Sequence, residues 1–159
     1  MALRKLRFVG DDILRKVSKP VKTIDKKIIE LIDDMYETMY NEGGCGLAAV
    51  QVGVLKRVLV IDMTEDHSEP LEAINPEIIH SEGTQEDWEG CLSMPGHRGL
   101  VKRPAITVFK ALNRHGEEYE MRCEGRKAIA VHHEIDHLNG VLYTDLAIEM
   151  RKSSEEDEE

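Results

Sequence analysis

The sequence feature that most constrains this chain is the pentapeptide His133-Glu134-Ile135-Asp136-His137, which lies in a stretch predicted to be helical. Histidines four residues apart share one face of a helix, so both imidazoles can reach one metal ion. Glu134 follows the first histidine, a position that suits a general base acting on water polarised by the metal. The same pattern also arises by chance in helices that bind no metal. A hydrolytic site therefore requires a third ligand, an oxyanion stabiliser and a substrate cleft elsewhere in the chain.

Length and charge limit the alternatives. With 159 residues, 41% of them hydrophobic, the chain is expected to form one domain with a sizeable core. The net charge is −10, and residues 155–159 are all acidic. This balance argues against nucleic-acid binding, which normally shows a basic stripe. The first residues lack the apolar run of a signal peptide and no stretch approaches membrane-spanning length, so no membrane association is expected.

The three cysteines, Cys45, Cys91 and Cys123, are odd in number and widely spaced. This usage argues against a disulfide framework and for a reducing cytoplasm, where a cysteine can instead bind a metal.

Hydrophobic periodicity predicts two long helices, over residues 25–41 and from about 126 to 138. An extended arm with a short turn over Ile13-Leu14 precedes the first helix. The predicted strands cover residues 57–63, 73–79, 100–103, 106–112 and 118–123. Pro76 makes the second of these strands an edge strand or the site of a bulge. The expected fold class is α+β, with antiparallel or mixed β-sheets packed around a central HExxH helix and one long N-terminal helix.

The third ligand is not fixed by the residues alone. One HExxH class places a third histidine six residues after the second, but Tyr143 occupies that position here. Another class uses an acidic residue on a following helix; no long helix follows, although Asp145 and Glu149 stay open. Cys91, in EGCLS (residues 89–93), is either a buried structural cysteine or a thiolate ligand for a borderline-soft divalent metal.

A run of small residues, GCGLAAVQVG (residues 44–53), allows the backbone to approach another group closely. It lacks the Gly-Lys-Ser/Thr ending of a phosphate-binding loop. It is either a tight connection into a strand or the wall of a cleft, with Gln51 as its polar group.

The motifs GCGLAAVQ (residues 44–51), EGCLS (89–93) and HEIDH (133–137) occur in this order, and in this the chain resembles the peptide deformylases. The resemblance covers nearly the whole chain, from residue 14 to residue 143. It implies one catalytic domain over residues 1–150. The residues that follow, 151–159, are expected from their composition to be an acidic, disordered tail. The same resemblance implies that Cys91, His133 and His137 bind one divalent metal, Fe²⁺ in the cell, with Zn²⁺, Ni²⁺ or Co²⁺ as alternatives.

The reaction implied by the resemblance is hydrolysis of the formyl group from the N-terminal methionine of new polypeptides, with release of formate. Glu134 would move the proton, while the Gln51 amide and the Leu92 backbone N–H would stabilise the oxyanion. The resemblance also implies the substrate-binding residues. The backbone of Gly44, Cys45 and Gly46 would pair with an extended peptide, and Arg98 would lie near the substrate. Ile129, Ala130 and Cys45 would form an apolar pocket for the methionine side chain.

The chain departs from the family pattern at a few positions, most of which border the expected cleft. They are Val50 where proline is common, His132 where glutamine is usual, Arg126-Lys127 in place of an apolar pair, and Asp87-Trp88 before the second motif. His132 is expected to face away from the metal. The preference for residues after methionine is therefore open.

Expected partners are formylmethionyl nascent peptides, met in the cytoplasm by a monomer. Transient contact with the ribosome is compatible with this function, but the acidic tail would repel phosphates, so no basic tail would mediate it. Two competing hypotheses are a general metallopeptidase and a silent relative that binds N-termini. The glycine-rich cleft and the cysteine argue against the first, and Glu134 argues against the second.

Overall fold

A computed structural model describes residues 2–152, and the last residues of the expected acidic tail, 153–159, lie outside the described part. After an extended arm with a 3₁₀ turn at Asp12–Arg15, the described residues form three α-helices and eight strands. The helices are α1 (Lys26–Asn41), α2 (Arg126–Leu138) and α3 (Tyr143–Leu146). The strands are β1 (Gly46–Ala48), β2 (Val58–Ile61), β3 (Leu71–Glu82), β4 (Gln85–Cys91), β5 (Met94–Arg103), β6 (Ile106–Leu112), β7 (Glu118–Glu124) and β8 (Glu149–Lys152).

Helix α1 begins where its sequence provides a cap and buries one stripe. The Asp25 carboxylate accepts a hydrogen bond from the Ile28 backbone N–H at 3.1 Å, which satisfies one of the free donors of the first turn. The buried apolar residues recur at helical spacing: Ile28, Leu31, Ile32, Met35 and Met39. They pack against β1 and β2 and anchor the helix to the larger sheet.

The strands form two antiparallel sheets, so the α+β class with antiparallel sheets is confirmed. The larger sheet has the order β1-β2-β3-β6-β7, and the smaller has the order β4-β5-β8. Strand β3 lies inside the larger sheet and not at its edge. Its register shifts between Ile74 and Glu77, so Pro76 sits in a bulge, where its missing N–H breaks no regular ladder.

Helix α2 contacts strands of both sheets: β1, β2 and β7 of the larger, and β5 of the smaller. One face of the helix is apolar and enters the main core through Ala128, Val131, Ile135 and Leu138. The other face carries His133, Glu134 and His137, which are also buried. The helix therefore presents polar side chains from a position that two sheets hold in place.

Strand β8 has no counterpart among the strands expected from the sequence. It pairs with β5 from Leu100↔Glu149 to His97↔Lys152, and the Arg151 guanidinium lies 4.3 Å from the Trp88 ring centroid. Arg151 and Lys152 belong to this strand, although the sequence predicts that they begin the tail. They pair because β5 offers a free edge. Within residues 2–152, no helix combines the length and apolar character needed to cross a bilayer.

Candidate active site

Three side chains that could hold a metal ion meet between α2 and the β4–β5 hairpin. Cys91 ends β4 and is followed by the two-residue turn Leu92-Ser93, while His133 and His137 are one turn apart on α2. One ligand atom from each of the three residues lies within 4.8 Å of the others, and the Cys91 Sγ is 3.3 Å from the His137 Nε2. The donor set of one thiol and two imidazoles suits a single divalent transition metal.

The electrostatics of this cluster also suit a cation. Burial lowers the pKa of His137 to about 3, so this imidazole is neutral at pH 7 and keeps a lone pair for coordination. Burial also opposes a charge on His133, but the neighbouring Glu134, Cys91 and Glu89 raise its pKa well above the usual value. The surroundings of His133 therefore stabilise a positive charge. A divalent cation bound at the ring can supply that charge in place of a proton.

A buried ion-pair network fixes the His133 ring. The His133 Nδ1 lies 2.8 Å from Glu89 Oε1, which leaves Nε2 to face the cluster. Arg103 donates to both Glu89 oxygens, at 2.8 and 2.9 Å, and to Asp136 at 2.6 Å. Burial alone would raise the pKa of Glu89, but the hydrogen bonds from Arg103 and His133 hold it below its usual value. Contacts of this kind orient a histidine ligand and keep one tautomer.

The sequence motifs alone do not predict a role for Glu89, Arg103 or Asp136. Glu89 and Asp136 lie inside the EGCLS and HEIDH motifs, but Arg103 lies at the far end of β5. Its one sequence signal is strand alternation, which places Arg103 on the same inward side as Val101. A cation on the buried side of a strand requires carboxylate partners, and Glu89 and Asp136 provide them.

The Glu134 carboxylate is buried beside the cluster, with 4% of its surface exposed. Its Oε1 has no hydrogen-bond partner among the residues that the structure describes, so one oxygen is available to a bound molecule. Burial raises the pKa of Glu134 to about 7, a value that favours proton exchange near neutral pH. Gly46 makes room for it, since a Cβ at that position would lie 2.5 Å from Glu134 Oε2.

Gln51 is a buried residue beside Cys91, and it lies on a 3₁₀ turn (Ala49–Val52). Its Oε1 accepts a hydrogen bond from the Ala48 backbone N–H at 2.9 Å. Its Nε2 donates to Ser93 Oγ at 3.0 Å and lies 3.5 Å from Cys91 Sγ. The amide is therefore held in one orientation, with its donor group directed at the cluster. The turn is well packed without the proline of the family pattern, because Val50 is fully buried.

A cleft of about 410 Å³ opens beside the cluster. It is lined by eleven of the twelve residues proposed from the sequence: Gly44, Cys45, Gly46, Gln51, Cys91, Leu92, Arg98, Ile129, Ala130, His133 and Glu134. The twelfth, His137, lies behind Cys91 and is buried. The lining also includes Asp87, Trp88, His97 and Arg126, which together with Arg98 are called the rim below. Asp87, Trp88 and Arg126 depart from the family pattern.

The two acidic residues that the sequence leaves open as ligands lie outside the cluster. Asp145 pairs with Arg15 at 2.5 Å, and Glu149 is exposed on β8. Tyr143, which stands where one HExxH class has a third histidine, stacks its ring on His133 with 5.7 Å between centroids. His132 points away from the cluster as expected, with its Nε2 2.8 Å from Thr107 Oγ1.

Comparisons with known proteins agree with one another. A family model described as polypeptide deformylase matches residues 3–153. The peptide deformylase of Acetivibrio thermocellus is 57% identical over 148 residues, which cover 93% of this chain and 85% of that protein. The peptide deformylase of Alkaliphilus metalliredigens is 53% identical over 148 residues, 93% of this chain and 99% of that protein.

Solved structures give the same result for the fold. The crystal structure of a peptide deformylase from Legionella pneumophila aligns with a TM-score of 0.89 and 46% identity, covering 91% of this chain and 86% of that one. That of the Synechococcus elongatus enzyme in complex with actinonin aligns with a TM-score of 0.88 and 40% identity, covering 91% of this chain and 80% of that one.

Proposed function

The chain belongs to the polypeptide deformylase family, and from that premise we propose how its own residues carry out the reaction. As a peptide deformylase it removes the N-formyl group from nascent polypeptides in a metal-dependent hydrolysis. The observation that carries the assignment of residues is the meeting of Cys91, His133 and His137 within 4.8 Å, beside the buried carboxylate of Glu134.

In this proposal Cys91 Sγ and one ring nitrogen each of His133 and His137 hold one divalent metal. The ion assigned is Fe²⁺, with Zn²⁺, Ni²⁺ or Co²⁺ able to use the same donors. When bound, the metal supplies a Lewis acid that lowers the pKa of a contacting water molecule. Glu89 and Arg103 are positioning residues, because Glu89 holds the His133 ring and Arg103 holds Glu89.

Glu134 moves the proton. It accepts a proton from the attacking water as the new C–O bond forms at the formyl carbon. It then returns that proton to the amine nitrogen as the C–N bond breaks, so the products are formate and a free N-terminal methionine. Its unpartnered Oε1 and its pKa of about 7 support both steps.

The oxyanion that develops on the formyl oxygen receives two donors in this proposal, the Gln51 side-chain amide and the Leu92 backbone N–H. Gln51 supports the role because Ala48 and Ser93 fix its orientation before any substrate arrives. Donors arranged in advance cost little reorganisation at the moment of reaction.

The extended peptide pairs with the backbone of residues 44–46, next to the edge strand β1. The methionine side chain enters the apolar pocket of Ile129, Ala130 and Cys45, and Arg98 lies near the following residues. Gly44 lies close to the Leu92 side chain, since a Cβ on Gly44 would lie 2.7 Å from Leu92 Cδ1. In this proposal a tight pocket around the reacting carbon admits a formyl group, whose carbon carries only hydrogen, and rejects acetyl and larger acyl groups by steric exclusion.

We further propose that residues 1–150 form one catalytic domain around the HExxH helix, and that the protein acts as a cytoplasmic monomer. Support comes from α2, which contacts both sheets, and from the ribosomal origin of formylated chains. Ribosome contact, where it occurs, does not use the acidic residues 155–159.

The direct test is to purify the protein anaerobically with Fe²⁺ and then to measure formate release from a formyl-Met peptide. Its acetyl-Met and unmodified counterparts are the controls, and metal content is measured in the same sample. The proposal predicts formate from the formyl peptide and no reaction of the controls. Metal-loaded protein that releases no formate would overturn it, and internal cleavage of the unmodified peptide would indicate a general metallopeptidase.

A further inference from the structure

The N-terminal arm, residues 2–11, crosses two segments of the active site. The Arg7 backbone N–H donates to Gln51 O at 2.7 Å, and the Val9 backbone N–H donates to Ser93 O at 2.8 Å. Residues two apart in an extended chain face the same side, so one stretch of the arm can bond to both segments. The arm therefore connects the 3₁₀ turn that carries Gln51 to the β4–β5 hairpin that carries Ser93.

These two segments also carry the two donors proposed for the oxyanion. The side-chain amide of Gln51 comes from the 3₁₀ turn, and the backbone N–H of Leu92 comes from the turn of the hairpin. The segments are linked directly, because Gln51 Nε2 donates to Ser93 Oγ at 3.0 Å. The arm adds a link through the main chain, since it bonds to the carbonyl groups of Gln51 and Ser93. Two separate connections thus fix the spacing of the donors.

The other end of the arm is anchored to helix α1. The Ala2 N–H donates to Asp34 Oδ1 at 2.7 Å, and Arg4 pairs with Asp34 Oδ2 at 2.9 Å. The Arg4 N–H donates to Thr38 Oγ1 at 2.9 Å, and the Leu6 side chain is buried in the core that α1 forms with β1 and β2. Because this end is fixed, the later N–H groups of the arm can hold the two active-site segments in place.

Val9 contributes to this arrangement through its main chain. Its side chain is 40% exposed, so it adds little to the core. Val9 lies in a turn that the Asp11 N–H closes by donating to Phe8 O at 3.0 Å. Gly10 has a φ of 109°, whereas Val9 lies outside the positive-φ region, as in a type II turn. Proline is common at the position of Val9 in such turns, so the N–H can be removed while the turn is kept.

We propose that Arg7 and Val9 are positioning residues, whose backbone N–H groups set the spacing of the two oxyanion donors. Both lie outside the lining of the cleft. The proposal rests on the function above, because it concerns the oxyanion of that reaction. The donors act on charge that develops only in the transition state, so their displacement lowers kcat and leaves KM unchanged.

The test compares Val9→Pro with Val9→Ala in the full metal-loaded chain, with a formyl-Met tripeptide as substrate. Proline deletes the N–H, whereas alanine keeps it, and both remove the valine side chain. For Val9→Pro we expect kcat to fall about tenfold or more, towards the roughly 100-fold loss for a missing donor, with KM changed by less than about twofold. Val9→Ala should keep the kcat of the unmodified protein. Equal kcat in the two variants, or a change confined to KM or metal content, would overturn the proposal.

A second variant, Gly10→Ala, shifts the same hydrogen bond without removing the N–H. Alanine is strained at a φ of 109°, although the added Cβ meets no described atom within 4 Å beyond its chain neighbours, so the turn must change. Gly116→Ala is the matched control, with a φ of 77° and a nearest atom at 3.8 Å in the β6–β7 hairpin turn. Both should lower the melting temperature, but Gly10→Ala alone should lower kcat, by about threefold or more. Equal kcat in these two variants would overturn the proposal even where Val9→Pro fails to fold.

The amide NMR spectrum of the Zn²⁺-loaded protein provides a measurement that does not depend on turnover. The signals of the Gln51 side-chain amide and the Leu92 backbone N–H should shift in Val9→Pro and stay in place in Val9→Ala. A lower kcat with both signals unchanged would show that the arm does not act through the oxyanion donors. Absence of formate release from the unmodified protein would refute the proposed function instead, so the two failures are distinguishable.

Discussion

Two regions of the cleft are built differently. One is the end at the Cys91, His133 and His137 cluster with Glu134, called the metal end, and the other is the rim. At the metal end His133, Glu134 and His137 are 7%, 4% and 1% exposed, and a buried network of Glu89 and Arg103 holds the His133 ring. At the rim, Arg98 and Arg126 are exposed and Asp87 and Trp88 are half-buried. Arg126 forms no ion pair within the part of the chain that the structure describes. In the proposed function, interior contacts therefore position the catalytic residues, whereas exposed side chains meet the peptide.

This difference bears on three of the departures from the family pattern, since Asp87, Trp88 and Arg126 all line the cleft at its rim. A change among buried charges leaves a partner unpaired at a cost of several kcal/mol, whereas an exposed ion pair is worth about 1 kcal/mol or less. Substitutions at the rim are therefore expected to cost less than substitutions among the buried charges.

The largest effect is expected from Cys91→Ser. Replacing the thiolate by a weaker hydroxyl donor removes one of three ligands, and loss of a Lewis acid worth several kcal/mol lowers turnover by at least about 1000-fold. Metal analysis and formate release measure the two consequences together. The control is Cys45→Ser, which removes a sulfur from the same cleft at an exposed position. Unchanged metal content in Cys91→Ser would exclude this residue as a ligand.

Glu89→Gln tests the buried network. Breaking a buried ion pair leaves Arg103 partly uncompensated, so we expect the free energy of unfolding to fall by about 3 kcal/mol at pH 7. Because the folded pKa of Glu89 is depressed, its contribution is present above the unfolded pKa of about 4.3 and is lost as pH falls through the lower folded value.

The difference between the metal-free variant and the metal-free unmodified protein should therefore be largest at neutral pH and shrink below about pH 4. Denaturant unfolding at a series of pH values measures it. Glu86→Gln is the control, since Glu86 faces Lys102 in an exposed pair and should change stability by less than about 1 kcal/mol. A difference that does not depend on pH would show that the charge of Glu89 contributes nothing.

Gly46→Ala should displace the base without touching the metal. Its Cβ would lie 2.5 Å from Glu134 Oε2, so the carboxylate must move, and a shift of about 1 Å can cost about 100-fold in turnover. Gly90→Ala adds the same methyl group where the nearest atom is 3.7 Å away, and it should keep most activity. If Gly46→Ala kept the full rate with metal bound, the position of Glu134 would not limit catalysis.

Arg126→Ala should have the smallest effect, a loss of at most about fivefold in kcat/KM on formyl-Met peptides, because its guanidinium is exposed and screened. Peptides with acidic and basic second residues measure the change. A 100-fold loss of kcat/KM would show that a rim residue matters as much for the reaction as residues at the metal end, and it would contradict the proposed difference between the two regions.

Much of the fold could be predicted where local pattern decides. The helices expected over residues 25–41 and 126–138 agree with α1 and α2 to within one residue, because each has a clear 3.6-residue apolar period and a capping or terminating residue. Strands β2, β6 and β7 were also anticipated, because β-branched runs and a hairpin turn mark them.

What could not be predicted depends on contacts between distant segments. Strand β8 is short and charged, and it exists because β5 offers an edge. The role of Arg103 becomes visible only when Glu89 and Asp136 approach it from β4 and α2. Pro76 allowed two placements, and only the sheet order shows that β3 lies between β2 and β6.

The central claim, that the buried carboxylate of Glu134 moves the proton at a metal held by other residues, is tested most directly by Glu134→Gln. Metal content and formate release are measured in one anaerobic preparation loaded with Fe²⁺. We predict the same metal content as the unmodified protein and a rate of formate release at least about 100-fold lower, in the range for loss of a general base. A near-normal rate with metal bound would contradict the claim.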